Sequence, residues 1–169
     1  MSALDVGLLY DEHVDFVWRM LERFGVAPAS IEDAVQEVFL IVHRRRSEFR
    51  HASSVKTWLG GVAIRVAKDF RRSSERRTKR EEDIESKIER GPHEVVERGQ
   101  ALALLMRALD TLEEDQRTVF VLSELEELTA PEIAEATGAN VNTVSSRLRL
   151  ARKYFNERVE QFRQKAGGM

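Results

Sequence analysis

Apolar residues along this chain recur almost everywhere at helical spacing, and strand-like alternation is hard to find. Tyr10, Val14, Val17, Leu21 and Phe24 lie 4-3-4-3 apart, which predicts a helix over residues 5–25 with that stripe buried and Trp18 in the core or at its rim. Gly25 and Pro28 break it. Ser30 with Asp33 predicts the cap of a second helix running to about residue 46. Its inner stripe is Ile31, Val35, Val38 and Val42, and Asp33, Gln36, Glu37, Leu40 and Arg44 share the opposite face. A leucine set among acids and an amide suits either a docking surface or an ordinary solvated face. Residues 47–56 are polar and loop-like, with Phe49 exposed or half-packed. In the next segment, residues 57–72, Trp58, Leu59, Val62, Val66 and Phe70 span one arc of a helix and Arg65, Lys68, Arg71 and Arg72 the other. Gly60 and Gly61 each weaken such a helix by about 1 kcal/mol relative to alanine, so tertiary packing has to hold it.

Residues 73–97 carry few large apolar side chains and turn from basic to acidic, the composition of a partly disordered linker with a helical turn at 84–88. Beyond it, Leu102, Leu105, Leu109 and Leu112 mark one helix, and Val119, Phe120 and Leu122 another between about residues 112 and 126. Thr129 and Glu132 then form a T-x-x-E capping box with Pro131 in the first turn, and Gly138 fits a left-handed stop. Asn140 caps a longer helix. Two helices joined by a tight turn at glycine form a helix-turn-helix, with small Ala134 allowing close approach and Ile133 and Val144 filling the space between. On the second helix Val141, Val144, Leu148, Ala151, Phe155, Val159 and Phe162 make one stripe. Asn142, Ser146, Arg149 and Lys153 lie opposite, flanked by Thr143, Arg147 and Leu150. Hydroxyls and amides toward the N-terminus with arginines behind them suit base reading and phosphate clamping.

The 169 residues, 42% hydrophobic and 33% charged, allow one domain or two small ones, all-α, with a buried core. The absence of cysteine excludes disulfides and thiolate metal sites and suits a reducing cytoplasm. No apolar run reaches membrane-span length, and a cytoplasmic protein is expected. A net charge of −2 argues at first against nucleic acid, but its distribution reverses that. Residues 44–80 hold thirteen Lys/Arg against three Asp/Glu, residues 81–97 seven acids against two bases, and residues 141–165 seven bases against two acids. Two basic blocks around an acidic one predict two nucleic-acid contacts and a repelling spacer.

The residues then carry a resemblance. Asp33-x-x-Gln36-Glu37-x-Phe39, Lys56-Thr57-Trp58-Leu59-x-x-x-Ala63 and Ala67-x-Asp69-x-x-Arg72 resemble the region-two domain of sigma factors. Ala108-Leu109-x-x-Leu112-x-x-x-Gln116-Arg117-x-Val119-Phe120, Glu126-x-Leu128-Thr129-x-x-Glu132-Ile133-Ala134 and Thr143-Val144-x-Ser146-Arg147-Leu148-x-x-Ala151-Arg152 resemble region four. Nearly the whole chain is similar, in order, to the extracytoplasmic-function (ECF) group of the bacterial sigma-seventy family. The resemblance implies two small helical domains, residues 1–75 and 98–165, joined by a flexible acidic linker at 76–97 and followed by a tail at 166–169. It implies a non-enzymatic specificity subunit, without cofactor or metal, that binds core RNA polymerase and promoter DNA and is open to an anti-sigma partner. Asp33, Gln36, Glu37, Phe39 and Leu40 would dock on the clamp helices of the largest polymerase subunit, with Phe39 split between core and interface. Phe49, Arg50, Lys56, Trp58, Arg65, Lys68, Arg71 and Arg72 would melt the −10 element and capture a flipped base. The C-terminal domain would ride on the flap of the second-largest subunit. Asn142, Thr143, Ser145, Ser146, Arg147, Arg149, Leu150, Arg152 and Lys153 would read the −35 element.

The chain departs from the family's pattern at Ser145 and Leu150, both commonly basic, at Asn142 (glycine), Glu113 (proline) and Arg65 (asparagine), and at Gly60-Gly61, where bulkier residues stand. These positions lie on the reading faces, so no relative's promoter preference carries over. The alternative is an autonomous helix-turn-helix regulator, but residues 1–75 show no strand–helix alternation for a sensing receiver. A helical nucleic-acid enzyme fails on inventory: the four histidines are scattered, and neither an H-x-E pair nor a phosphate loop occurs. A module that only sequesters regulators would not need two basic faces.

Overall fold

The computed structural model describes residues 4–50, 53–81 and 97–168, and no strand occurs among them. Among the described residues seven α-helices follow one another: α1 (Val6–Arg23), α2 (Ile31–Arg45), α3 (Val55–Glu81), α4 (Glu97–Asp110), α5 (Glu114–Phe120), α6 (Ala130–Thr137) and α7 (Val141–Gly167). No helix among the described residues is long and apolar enough to cross a membrane. The expected linker falls largely at 82–96 and so lies outside the described residues. Residues 73–81, the first part of the stretch read as linker, continue α3. The side chains of residues 73–79 are exposed, but Glu75 precedes Lys79 at the i,i+4 spacing that supports a solvated helix.

Local signals set most helix ends. Asp5 caps α1, its Oδ1 accepting from the N–H groups of Gly7 (2.9 Å) and Leu8 (3.3 Å). The helix closes in a Schellman motif, Gly25 standing at φ 87° while the Val26 N–H donates to Leu21 O and the Gly25 N–H to Glu22 O. The Ser30 cap does not form. Pro28 starts a 3-10 turn over Pro28–Ser30, which leaves Ser30 at φ −108°, ψ −6° instead of the extended conformation a capping side chain requires. Ser54, which the sequence pattern left inside a loop, caps α3 by accepting from the Thr57 N–H at 3.0 Å.

In the C-terminal half the helix-turn-helix forms as expected. The Thr129 N–H donates to Glu132 Oε2 at 2.7 Å, the Glu132 N–H donates to Thr129 Oγ1, Gly138 stands at φ 75°, and Asn140 Oδ1 accepts from the Thr143 N–H at 2.8 Å. Ile133 and Val144 are fully buried between the two helices. Some stripe positions fall outside the core. Tyr10, Leu102 and Val141 are exposed, Tyr10 because its ring lies on the rim against Phe39, Leu102 and Val141 because each sits in the first turns of its helix. Trp18 is also exposed at the rim, its indole N–H donating to Glu22.

The two halves do not keep separate cores. α1, α2 and α3 pack together, α4, α5 and α6 pack on α7, and α6 crosses α3, so that one cluster of buried residues runs from Leu9 to Ala151. Gly60 and Gly61 make that crossing possible. A Cβ on Gly61 would stand 3.0 Å from the Ala136 carbonyl oxygen, and one on Gly60 would touch Met20 and Leu122. The glycine pair that weakens α3 locally is what lets another helix lie on it.

One consequence concerns the α6 cap. Hydrogen bonds from the Thr129 N–H and hydroxyl hold the Glu132 carboxyl below its ordinary range. Because the folded value is depressed, the stabilisation is complete above the unfolded pKa and is lost as pH falls through the folded one. Thr129→Ala is expected to cost about 0.5–2 kcal/mol in urea unfolding at neutral pH, and its gap to the unsubstituted chain to narrow as the buffer is acidified.

Candidate nucleic-acid interface

The outward face of α7 offers Asn142, Ser145, Ser146, Arg149 and Lys153 to solvent, with Thr143 and Leu150 half-buried beside them. They stand on the first four turns of a helix whose start is fixed by the Asn140 cap, so their projection is set by rigid backbone. Two cations expected on this face are already paired. Arg147 Nη2 lies 2.9 Å from Asp115 Oδ2, and Arg152 donates twice to Glu124 Oε1, at 2.8 and 2.5 Å.

The basic residues of α3 and of the loop before it divide in the same way. Arg50, Arg65 and Arg72 are exposed, whereas Lys68 and Arg71 are half-buried against the C-terminal half. Lys68 Nζ lies 3.4 Å from Glu114 and 3.7 Å from Asp115. Lys56 Nζ reaches Glu126 Oε2 at 3.5 Å and lies 5.1 Å over the Phe16 ring. Phe49, expected exposed or half-packed, is buried with its ring 5.2 Å from that of Trp58. Two apolar rings one loop apart remove more surface from water by stacking than by standing free. A cavity of about 150 Å³ opens beside Trp58, Arg65, Arg45 and Ser53, and its far wall is Glu135 and Ala136 of α6.

Acids to which the sequence pattern assigned no partner organise this region. α5 runs into a π-turn over Val121–Leu125, closed by the Glu126 N–H donating to Val121 O. Glu126 there is 5% exposed, and Arg23 of α1 donates to its Oε1 at 2.5 Å. Arg117 of α5 is buried too. Its Nε donates to the Arg23 carbonyl oxygen at 2.5 Å and its Nη1 to Asp110 at 2.9 Å. Burial pushes this guanidinium below its ordinary pKa, and Asp110 works against that. The acidic flanks of α5 were visible as composition, but nothing in their spacing indicated which bases they meet. Among the described residues no group of three or more His, Cys, Asp or Glu is placed to hold a metal ion.

The outer face of α2 is separate from all this. Asp33, Gln36 and Leu40 are exposed and Glu37 half-buried, while Phe39 is buried with its ring 4.8 Å from Tyr10. Phe39 therefore supports the face from beneath.

Residues 9–77 match the Sigma-70 region 2 family and residues 102–155 the Sigma-70 region 4 family. The chain is similar to the ECF RNA polymerase sigma-E factor of Escherichia coli K12, 30% identical over 146 residues that cover 80% of this chain and 76% of the relative. It is 28% identical to the Haemophilus influenzae ECF RNA polymerase sigma-E factor over 164 residues, 90% of this chain and 86% of that one. Among solved structures it resembles RpoE of Bartonella quintana, crystallised with the anti-sigma factor NepR. The TM-score is 0.72 at 20% identity, over 91% of this chain and 96% of the other. CnrH in complex with the cytosolic domain of CnrY gives a TM-score of 0.70, also at 20% identity, over 92% and 88%. At these identities the structural likenesses speak for the fold.

Burial separates two neighbours on α2. Phe39→Ala is expected to cost about 3–5 kcal/mol of folding stability, and Leu40→Ala, at a position 48% exposed, to stay within about 0.5 kcal/mol. Thermal denaturation of the two variants checks the assignment of Phe39 to folding and leaves Leu40 free for contact.

Proposed function

The chain belongs to the ECF group of RNA polymerase sigma factors, and on that premise we propose which of its faces meets which partner. The protein binds core RNA polymerase and directs it to promoters, working in the cytoplasm by binding and by DNA melting, with no chemistry of its own. What most supports this division of labour is that two of its exposed faces have opposite characters. The first is an acid-amide-leucine face on α2, and the second a hydroxyl-amide-arginine face on the capped start of α7.

Asp33, Gln36, Glu37 and Leu40 form the polymerase-docking face, a small apolar centre rimmed by carboxylates. Asn142, Ser145, Ser146 and Arg149 reach the base edges of the −35 element, while Thr143, Arg147, Arg152 and Lys153 clamp phosphates. Leu150, apolar beside them, meets a thymine methyl or a protein neighbour. Arg50, Arg65, Lys68, Arg71 and Arg72 track the −10 backbone, with Lys56 at the mouth of the cleft. The cavity between Trp58 and Arg65 lies where an unstacked base is held, stacking being worth roughly 1–3 kcal/mol per base. Neither DNA contact needs to be strong by itself, because docking on polymerase raises the local concentration of both. An autonomous regulator would have no use for the α2 face.

Run-off transcription with purified core polymerase on promoters selected from random sequence tests the whole reading, and absence of initiation at every template would refute it. In the same assay Asp33→Lys with Glu37→Lys is expected to raise the concentration needed for core binding at least tenfold without changing promoter preference. Arg149→Ala is expected to weaken promoter binding by the holoenzyme by about 1–3 kcal/mol and to relax sequence preference within the −35 element, with core binding unchanged.

A further inference from the structure

Arg117 carries into the core one hydrogen-bond donor more than its neighbours accept. Its side chain is 4% exposed. Nε donates to the Arg23 carbonyl oxygen and Nη1 to Asp110, while Nη2 is buried and has no acceptor among the described residues. A guanidinium is a planar fork, so the first two bonds fix where the third nitrogen stands. Gly25 packs against the same group so closely that a Cβ there would lie 3.0 Å from Nη1, and the fork has no room to turn. Beside it a cavity of about 10 Å³ is lined by Phe24, Ile64, Lys68, Arg71, Glu114 and Arg117, among others. That is about the room one water-sized sphere takes up.

Charge decides what suits this space. Burial pushes the Arg117 guanidinium below its ordinary pKa, Asp110 opposes that, and the like charge of Arg71 adds to it. Of the other charged groups on the wall, Glu114 already meets Lys68 at 3.4 Å, and Lys68 also lies 3.7 Å from Asp115. Arg71 is half-buried and has no ion pair among the described residues. Two guanidiniums therefore share a small space whose remaining walls, Phe24, Ile64 and Ala67, are apolar and buried. A water molecule would accept from Nη2 but add no charge. A monoatomic anion does both, and a tetrahedral oxyanion is too large for the space.

We infer that this cavity between α3 and α5 is a binding site for a small spherical anion, chloride above all, held by Arg117 Nη2 and Arg71. Because the site exists only in the folded chain, the ion stabilises that chain by mass action. The inference stands independently of the sigma-factor reading, since it is read out in binding and folding.

Two measurements on the full chain test it together. In crystals grown in sodium bromide, the anomalous signal of bromine is expected within hydrogen-bond distance of Arg117 Nη2. In solution, urea unfolding is followed as chloride replaces gluconate at constant ionic strength. The urea midpoint of the unsubstituted chain is expected to rise with chloride, and Arg71→Gln to lose about half of that rise or more. Arg72→Gln removes an equal charge from the exposed neighbouring position and is expected to keep it. Salt effects on the rest of the surface are common to all three chains. Only the rise is compared, so a general loss of stability in either variant drops out. Water alone beside Arg117 in the bromide crystals, or the same rise in Arg71→Gln as in Arg72→Gln, would overturn the inference. A bromine signal at the site with no rise in solution would mean an adventitious ion only, and would overturn it as well.

Discussion

A carboxylate removed from water has to be met by positive charge, and in this molecule Glu126 imposes that condition on both halves of the chain. It sits at the end of a π-turn, 5% exposed, and its partners Arg23 and Lys56 come from helices 103 and 70 residues earlier, respectively. Removing one partner of a buried pair costs about 3–5 kcal/mol, although solvent at Lys56 reduces that side of the interaction. The other pairs across the interface, Lys68 with Glu114 and Asp115, are a third to a half exposed and contribute about 0–1 kcal/mol each. Glu126 therefore fixes how the halves are placed, and the outer pairs determine which surface charges remain available.

Arg117 extends the same constraint. Its guanidinium spans from Asp110 to the carbonyl oxygen at the end of α1, so the helix terminus that Gly25 closes is also a seam between the halves. Gly25 serves twice there, supplying the left-handed turn and the space that a Cβ would take from Arg117 Nη1 at 3.0 Å. The close contacts at Gly25 and Gly61 and the buried carboxylate act together. The glycines allow the approach, the apolar surfaces of α3, α5 and α6 drive it, and Glu126 selects its register.

Helix ends were the most legible part of the chain, because a cap is decided within four residues. Thr129 with Glu132, Gly138 and Asn140 all behave as their spacing implies. Ser30 is the instructive exception. Its spacing to Asp33 was right, but Pro28 two residues before it committed the backbone to a 3-10 turn. Aromatic burial was harder to read. Phe49 stood in polar surroundings and Phe39 beside the outer face of α2, and both turned inward to a ring that lies elsewhere in the chain, Trp58 for the first and Tyr10 for the second. The candidate site was legible as a set of outward residues on α2, α3 and α7. That Arg147, Arg152, Lys56 and Lys68 would each be met by an acid was not legible, since those acids lie on other segments.

Periodicity, capping chemistry and charge distribution alone determined that this protein is helical, that it carries a helix-turn-helix, and that its bases fall in two blocks with hydroxyls, amides and arginines on one face of the last long helix. These are short-range properties, repeated every three or four residues and insensitive to what the rest of the chain does. Only the tertiary structure decided that Gly60 and Gly61 are a seat for another helix, and that Glu114, Asp115 and Glu126 lie against Lys68, Arg147 and Lys56. The reason is physical: a glycine's effect depends on what approaches it and a carboxylate's on which charge it meets, and both are settled by residues too distant in sequence to leave a local trace.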